Sequence, residues 1–167
     1  MEGPAGVLAL VLAETAVGGS LFLWLAPLWG RVREGFFTLT AAILAALALA
    51  AGGAAASGRV AGASPAPQLL MLALGVLLAL SAIANLARQR TIARVLGLLS
   101  AGVGVAGLGM LVPLSDASTA LAAFQLAAGA AFMGAVMDGL LLGHWYLVDR
   151  RLSRDPINLF AVALLVS

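Results

Sequence analysis

The sequence contains no cysteine, no lysine and a single histidine in 167 residues. Without cysteine the chain can form no disulfide, no thiolate metal site and no cysteine nucleophile. One histidine, His144, cannot build a zinc site or a bis-histidine haem site within the chain. The sequence therefore gives no reason to expect a cofactor or a bound metal.

Charged residues are also scarce. They make up 10% of the chain, whereas apolar residues make up 63%; a soluble domain carries roughly 25% charged residues. So few polar residues cannot cover the outside of a soluble domain, which indicates that lipid is the solvent. The long runs are rich in Ala and Leu and lack the alternation of barrel strands. We therefore predict an all-α polytopic transmembrane bundle, with residues 1–167 forming a single integral membrane domain.

The net charge is +2 and the sequence pI is about 10.5, carried by nine arginines that lie in short loops. Because no soluble basic face exists, we expect no nucleic-acid partner. Abundant Ala, Gly, Leu and Arg without Lys is typical of GC-rich bacterial genomes, which predicts the cytoplasmic (inner) membrane of a bacterium. The expected partners are the lipid bilayer and, as alternatives, other membrane subunits or further copies of the chain.

Five apolar segments are long enough to span a bilayer, at about 6–29, 35–55, 69–87, 92–114 and 119–148. The fifth exceeds the ~20 residues that a span needs, so we expect it to tilt or protrude. Residues 56–68 are rich in Gly, Ser and Pro and form the longest predicted loop. Asp116 or Ser118 is placed to cap the fifth helix.

A shorter apolar stretch, residues 157–167, ends the sequence. As a helix it reaches only about 16 Å, half a bilayer. It is either a half-inserted segment or a truncated sixth span. We favour truncation because no charged residue ends it.

The arginines alternate between loops. The second and fourth loops hold only Arg59, whereas the first, third and fifth hold Arg31, Arg33, Arg88, Arg90, Arg94, Arg150, Arg151 and Arg154. The positive-inside rule places these odd-numbered loops in the cytoplasm and the N-terminus outside. An aromatic belt at the same helix ends agrees with this orientation; it comprises Trp24, Trp29, Trp145 and Tyr146.

Two carboxylates, Glu14 and Asp138, fall inside predicted spans. Such residues cost ~2.5–3.5 kcal/mol at a helix centre and commonly mark proton or ion sites. Measured from opposite edges of a core ~30 Å thick, the two lie within about 6 Å of each other in depth. They would share a site if the first and fifth helices pack together. Without an intramembrane cation each favours its neutral form, which could instead hydrogen-bond between helices.

The fifth span carries a small residue at every fourth position; the stripe comprises Ala127, Ala131, Ala135, Gly139 and Gly143. This pattern predicts close helix packing, with Gly139 and Gly143 as a GxxxG contact. Gln125 and Asn85 are predicted to tie helices together by hydrogen bonds.

His144 lies beside Trp145 near a membrane interface. We favour an interfacial role, the alternative being a single axial ligand or a quinone contact. The GxGxxG pattern at residues 102–107 lies inside a span with no preceding strand, so we interpret its glycines as packing residues rather than a nucleotide site.

Three functions fit these features. The first is proton- or cation-coupled transport through Glu14 and Asp138. The second is a non-catalytic structural or assembly subunit of a larger membrane complex, in which those acids bond to neighbours. The third is a membrane enzyme or a haem- or quinone-binding protein that uses His144. The sequence contains no motif of a known hydrolase or ATPase, so a catalytic role is the weakest of the three.

The orientation can be tested with single cysteines, because the chain has none of its own. Cysteines at Gly3 and Gln89 should differ in intact cells, with an impermeant thiol reagent labelling Gly3→Cys only. Labelling of Gln89→Cys without Gly3→Cys would reverse the predicted topology.

Overall fold

The computed structural model describes residues 3–26, 32, 34–58, 64–115, 117–148 and 155–166. The helices are α1 (Gly3–Leu25), α2 (Glu34–Ser57), α3 (Ala66–Leu86), α4 (Arg90–Gly109), α5 (Thr119–Val148) and α6 (Asp155–Val166), with a 3-10 turn at Val112–Leu114. Among these described residues, five helical segments are long and apolar enough to cross a membrane. The predicted all-α bundle with five spans is confirmed.

Local sequence signals explain several helix ends. Pro67 lies in the first turn of α3, where its missing N–H removes no helical hydrogen bond. The Ser118 hydroxyl accepts a hydrogen bond from the Leu121 N–H at 3.4 Å, so Ser118 caps α5 as predicted. Asp116, the other predicted cap, lies outside the described residues. Between α3 and α4, Arg88 adopts a left-handed conformation (φ 59°) that reverses the chain.

Helices α1 to α4 form a closed ring in which each helix packs against the next and α4 returns to α1. Helix α5 packs mainly on α1, outside this ring, and α6 packs on α5. Helix α1 is therefore the centre of the molecule. Gly19 contacts Leu44 of α2, and Gly104 of α4 contacts Val17 on another face of α1.

Two contacts identify one end of the bundle, which we call the arginine-rich end. Arg90 at the start of α4 pairs with Glu34 at the start of α2, and Trp145 near the end of α5 packs against Gly35. The starts of α2 and α4 and the last turns of α5 therefore lie at the same end, as the arginine pattern requires. Some residues of that pattern lie outside the described part of the chain; they are Arg31, Arg33, Arg59, Arg150, Arg151, Arg154 and Trp29.

The opposite end, which we call the N-terminal end, holds the start of α1 and the turn before α5. There Gly58, just after α2, lies against Ala5. Gly6 and Ser115 line one pocket at this end. The helices α1 and α5 both begin here and therefore run parallel to each other.

The closest helix contact joins α1 and α5. A Cβ added at Gly18 would overlap the carbonyl group of Ala130, and one added at Gly134 would overlap the backbone of Gly18. We call this contact of Gly18, Ala130 and Gly134 the glycine seam. The two backbones touch without intervening side chains, which is how small residues hold helices together in lipid.

The structure revises the predicted packing stripe in part. The buried residues of α5 include Ala135 of that stripe and also Ala130, Gly134, Asp138 and Leu142, which lie one residue before its positions. Gly139 is only partly buried. At Gly143 an added Cβ would meet nothing within 4 Å, so this glycine is not in a close helix contact.

A matched pair of alanine substitutions tests the seam. Gly134→Ala forces a methyl group into the α1 backbone and should destabilise the protein by about 1–3 kcal/mol, the usual cost of overpacking. Gly143→Ala adds the same methyl group in open space and should leave stability unchanged. Thermal unfolding in mild detergent measures both. Equal stability of the two variants would show that α1 and α5 are not in backbone contact.

Candidate functional site

Glu14 lies on α1 with its carboxyl group against α5. A Cβ added at Gly129 would lie 2.6 Å from the Glu14 Oε1 atom, so the carboxyl group occupies the space that this glycine leaves. The side chain is half-buried and lines a pocket of about 290 Å³ at the N-terminal end. The other lining residues are Gly6, Val7, Leu10, Leu111, Leu114, Ser115, Ala122, Gln125 and Leu126.

Asp138 has a different environment. Its side chain is 0% exposed, on the face of α5 that carries Gly134 and Leu142 one turn to either side. Neither carboxyl oxygen has a hydrogen-bond partner among the described residues. Such atoms are rare, because a buried polar group without a partner loses its hydration and gains nothing in return.

The two acids share an interface and not a site. Glu14 lies beside Gly129, which precedes Asp138 by nine residues on α5. At ~1.5 Å per residue the two levels are about 14 Å apart along the helix axis. The sequence predicted too small a separation between Glu14 and Asp138. It placed Asp138 by counting back from the end of α5, a helix of 30 residues that is longer than the membrane core is thick.

The glycine seam lies between the levels of the two acids. Ala130 and Gly134 follow Gly129 and precede Asp138 on α5, and both touch the α1 backbone at Gly18. In this conformation Glu14 faces a pocket while Asp138 is closed off by tight packing. One interface thus holds an accessible carboxyl group and a sealed one.

Thr40 of α2 is a second buried polar group that the sequence analysis missed. Its side chain is 0% exposed and its hydroxyl has no hydrogen-bond partner among the described residues. Leu44 packs on Gly19, next to the seam, and Thr40 lies one turn from Leu44 toward the arginine-rich end. Asp138 likewise lies one turn beyond Gly134. Thr40 and Asp138 therefore occupy about the same level of the bundle, a match that only the helix register reveals.

Gln125 and Asn85, which were predicted to form hydrogen bonds between helices, have different environments in the structure. Gln125 is exposed and lines the Glu14 pocket. The side-chain nitrogen of Asn85 is buried without a hydrogen-bond partner in the described part of the chain. The tie between α3 and α4 comes instead from buried Ser81, whose hydroxyl donates to the Ala93 carbonyl at 2.8 Å.

His144 was the candidate ligand of the sequence analysis. His144 is exposed on α5. Within the described residues no group of three or more His, Asp or Glu side chains is placed to hold a metal ion.

The GxGxxG glycines lie inside α4, where Gly104 approaches Val17 and Gly107 approaches Met71. Trp24, near the end of α1, packs over Gly97 of α4 and stacks on Phe37 at 5.9 Å.

Comparison of the chain with protein-family models, curated proteins and solved structures finds no match. The function is therefore inferred from the chemistry of the described side chains.

Proposed function

We propose that the protein couples transport across the membrane to protons or another small cation, with Glu14 and Asp138 as the two binding groups. The observation that carries this proposal is the complete burial of Asp138 with both carboxyl oxygens unpaired. The proposal retains the predicted setting, the inner membrane of a bacterium with the N-terminus outside.

A purely structural role explains Asp138 less well. An acid that served to hold helices together would be hydrogen-bonded, since an unpaired buried carboxyl costs stability. Ser81 shows what a structural polar contact looks like in this protein, because its hydroxyl reaches the carbonyl of the neighbouring helix. Acids inside membrane helices mark proton and ion pathways when they face the bundle interior. Asp138 meets that description.

Glu14 supplies the accessible half of the pathway. It faces a pocket at the N-terminal end, and the glycine seam separates that pocket from the level of Asp138. Helix α5 is held to the ring mainly through α1. A small shift of α5 along α1 would therefore open the seam while the ring of α1 to α4 keeps its own contacts, and sliding of packed helices is a common type of conformational change.

The second candidate function is that of an assembly subunit. It is favoured because the other helices cover little of the surface of α5. Only 22% of its apolar, membrane-spanning stretch is buried inside the molecule. The exposed side chains include Phe124, Phe132 and Leu140. A neighbouring subunit on this face would show as a protein that copurifies after gentle solubilisation. The third candidate, an enzyme or cofactor carrier, has only exposed His144 to support it.

Ion flux in liposomes tests the proposal directly. With a potassium diffusion potential as the driving force, the native protein should carry protons or sodium ions, measured with an internal dye. Asp138→Asn and Glu14→Gln should each abolish this flux while the purified protein stays folded, because an amide keeps the size of a carboxyl group and cannot ionise.

Glu34→Gln is the matched control, since Glu34 is an exposed acid at the arginine-rich end. It should leave the flux unchanged. Undiminished flux in both Asp138→Asn and Glu14→Gln would remove these acids from the pathway. Copurification of a partner together with absence of any flux would support the subunit role instead.

A further inference from the structure

We infer that the pocket beside Glu14 binds a small organic cation, an ammonium group carried on an apolar body. The inference rests on the proposed function and names the class of its cargo. It uses the chemistry of the pocket lining, which the coupling proposal does not need.

The lining places one acidic group in a mostly apolar wall. Glu14 supplies a carboxyl group, Gln125 an amide and Ser115 a hydroxyl, and the rest of the wall is hydrocarbon from residues such as Leu10 and Leu126. None of the described residues that line it is basic. Small-molecule sites share this composition, in which apolar walls bury the ligand and a few polar groups fix its orientation.

Glu14 and Gln125 lie on the same side of the pocket. Gly129 leaves room for the carboxyl group at the α1–α5 interface. Gln125 lies one turn before Gly129 on α5 and lines the same pocket, so its amide is placed on the Glu14 side. A carboxylate and an amide oxygen can both accept hydrogen bonds from one ammonium group.

Other ligand classes fit less well. A bare metal cation such as Ca²⁺ or Mg²⁺ takes about six or more oxygen ligands, and the side chains of this wall offer only those of Glu14, Gln125 and Ser115. The Ser115 oxygen already accepts a hydrogen bond from the Ala117 N–H at 3.2 Å. An anion would be repelled by the Glu14 carboxylate, and none of the described lining residues is basic and able to neutralise it. The volume of about 290 Å³ is at the lower limit of ligand pockets, which indicates a small molecule.

Benzylamine and benzyl alcohol form a matched pair of probes, since they have nearly the same shape and only the amine is a cation. We expect titration calorimetry of the purified full chain in mild detergent to detect benzylamine binding and much weaker binding of the alcohol. Glu14→Gln should weaken benzylamine binding by about ten- to a hundred-fold, because a charge-assisted hydrogen bond is lost. Gln125→Leu should weaken it by a smaller factor.

Glu34→Gln, remote from the pocket, should bind benzylamine like the native protein and so controls for a general loss of negative charge. Equal affinity for the amine and the alcohol would overturn the inference, and so would unchanged amine binding in both Glu14→Gln and Gln125→Leu. Ion flux distinguishes this result from failure of the proposed function. Amine binding without acid-dependent flux would keep the pocket and reject coupling, whereas acid-dependent flux without amine binding would reject only the ligand class.

Discussion

The backbone contact between α1 and α5 determines how the rest of the interface is arranged. Lipid supplies no hydrophobic force that drives helices together, so their association depends on close packing. Gly18 and Gly134 let the two backbones touch, and a single methyl group at either position would overlap the opposite helix. This contact fixes the register of the pair. It places Glu14 beside Gly129 and leaves Asp138 one turn beyond the contact.

The same contact gives the two carboxyl groups opposite environments. Toward the N-terminal end the helices leave a pocket that Glu14 lines. Toward the arginine-rich end the packing closes, and Asp138 is buried at about the level of Thr40, another polar group without a hydrogen-bond partner in the described chain. Unpaired polar groups are expensive in an apolar interior, and this cost is the reason for proposing a binding role for Asp138. A single interface therefore combines an accessible acid with a sealed one.

The sequence was sufficient to predict the five spans and which helix ends lie together, because these features depend only on hydropathy and on the positions of arginines. The face of α5 that packs could not be predicted. Small residues lie on two adjacent stripes, one with Ala131 and Gly139 and one with Ala130 and Gly134. Only the position of Gly18 on another helix selects between them. The axial separation of Glu14 and Asp138 could not be predicted for the same reason, since it follows from the α1–α5 register and not from span ends.

Infrared difference spectroscopy of the protein in liposomes tests most directly the proposal that Asp138 and Glu14 change protonation or bind a cation when the protein works. The carbonyl stretch of a protonated carboxyl group can be followed while an ion gradient is applied. We expect two carboxyl signals, one absent from Asp138→Asn and the other absent from Glu14→Gln. A difference spectrum that contains no carboxyl signal from either residue would contradict it.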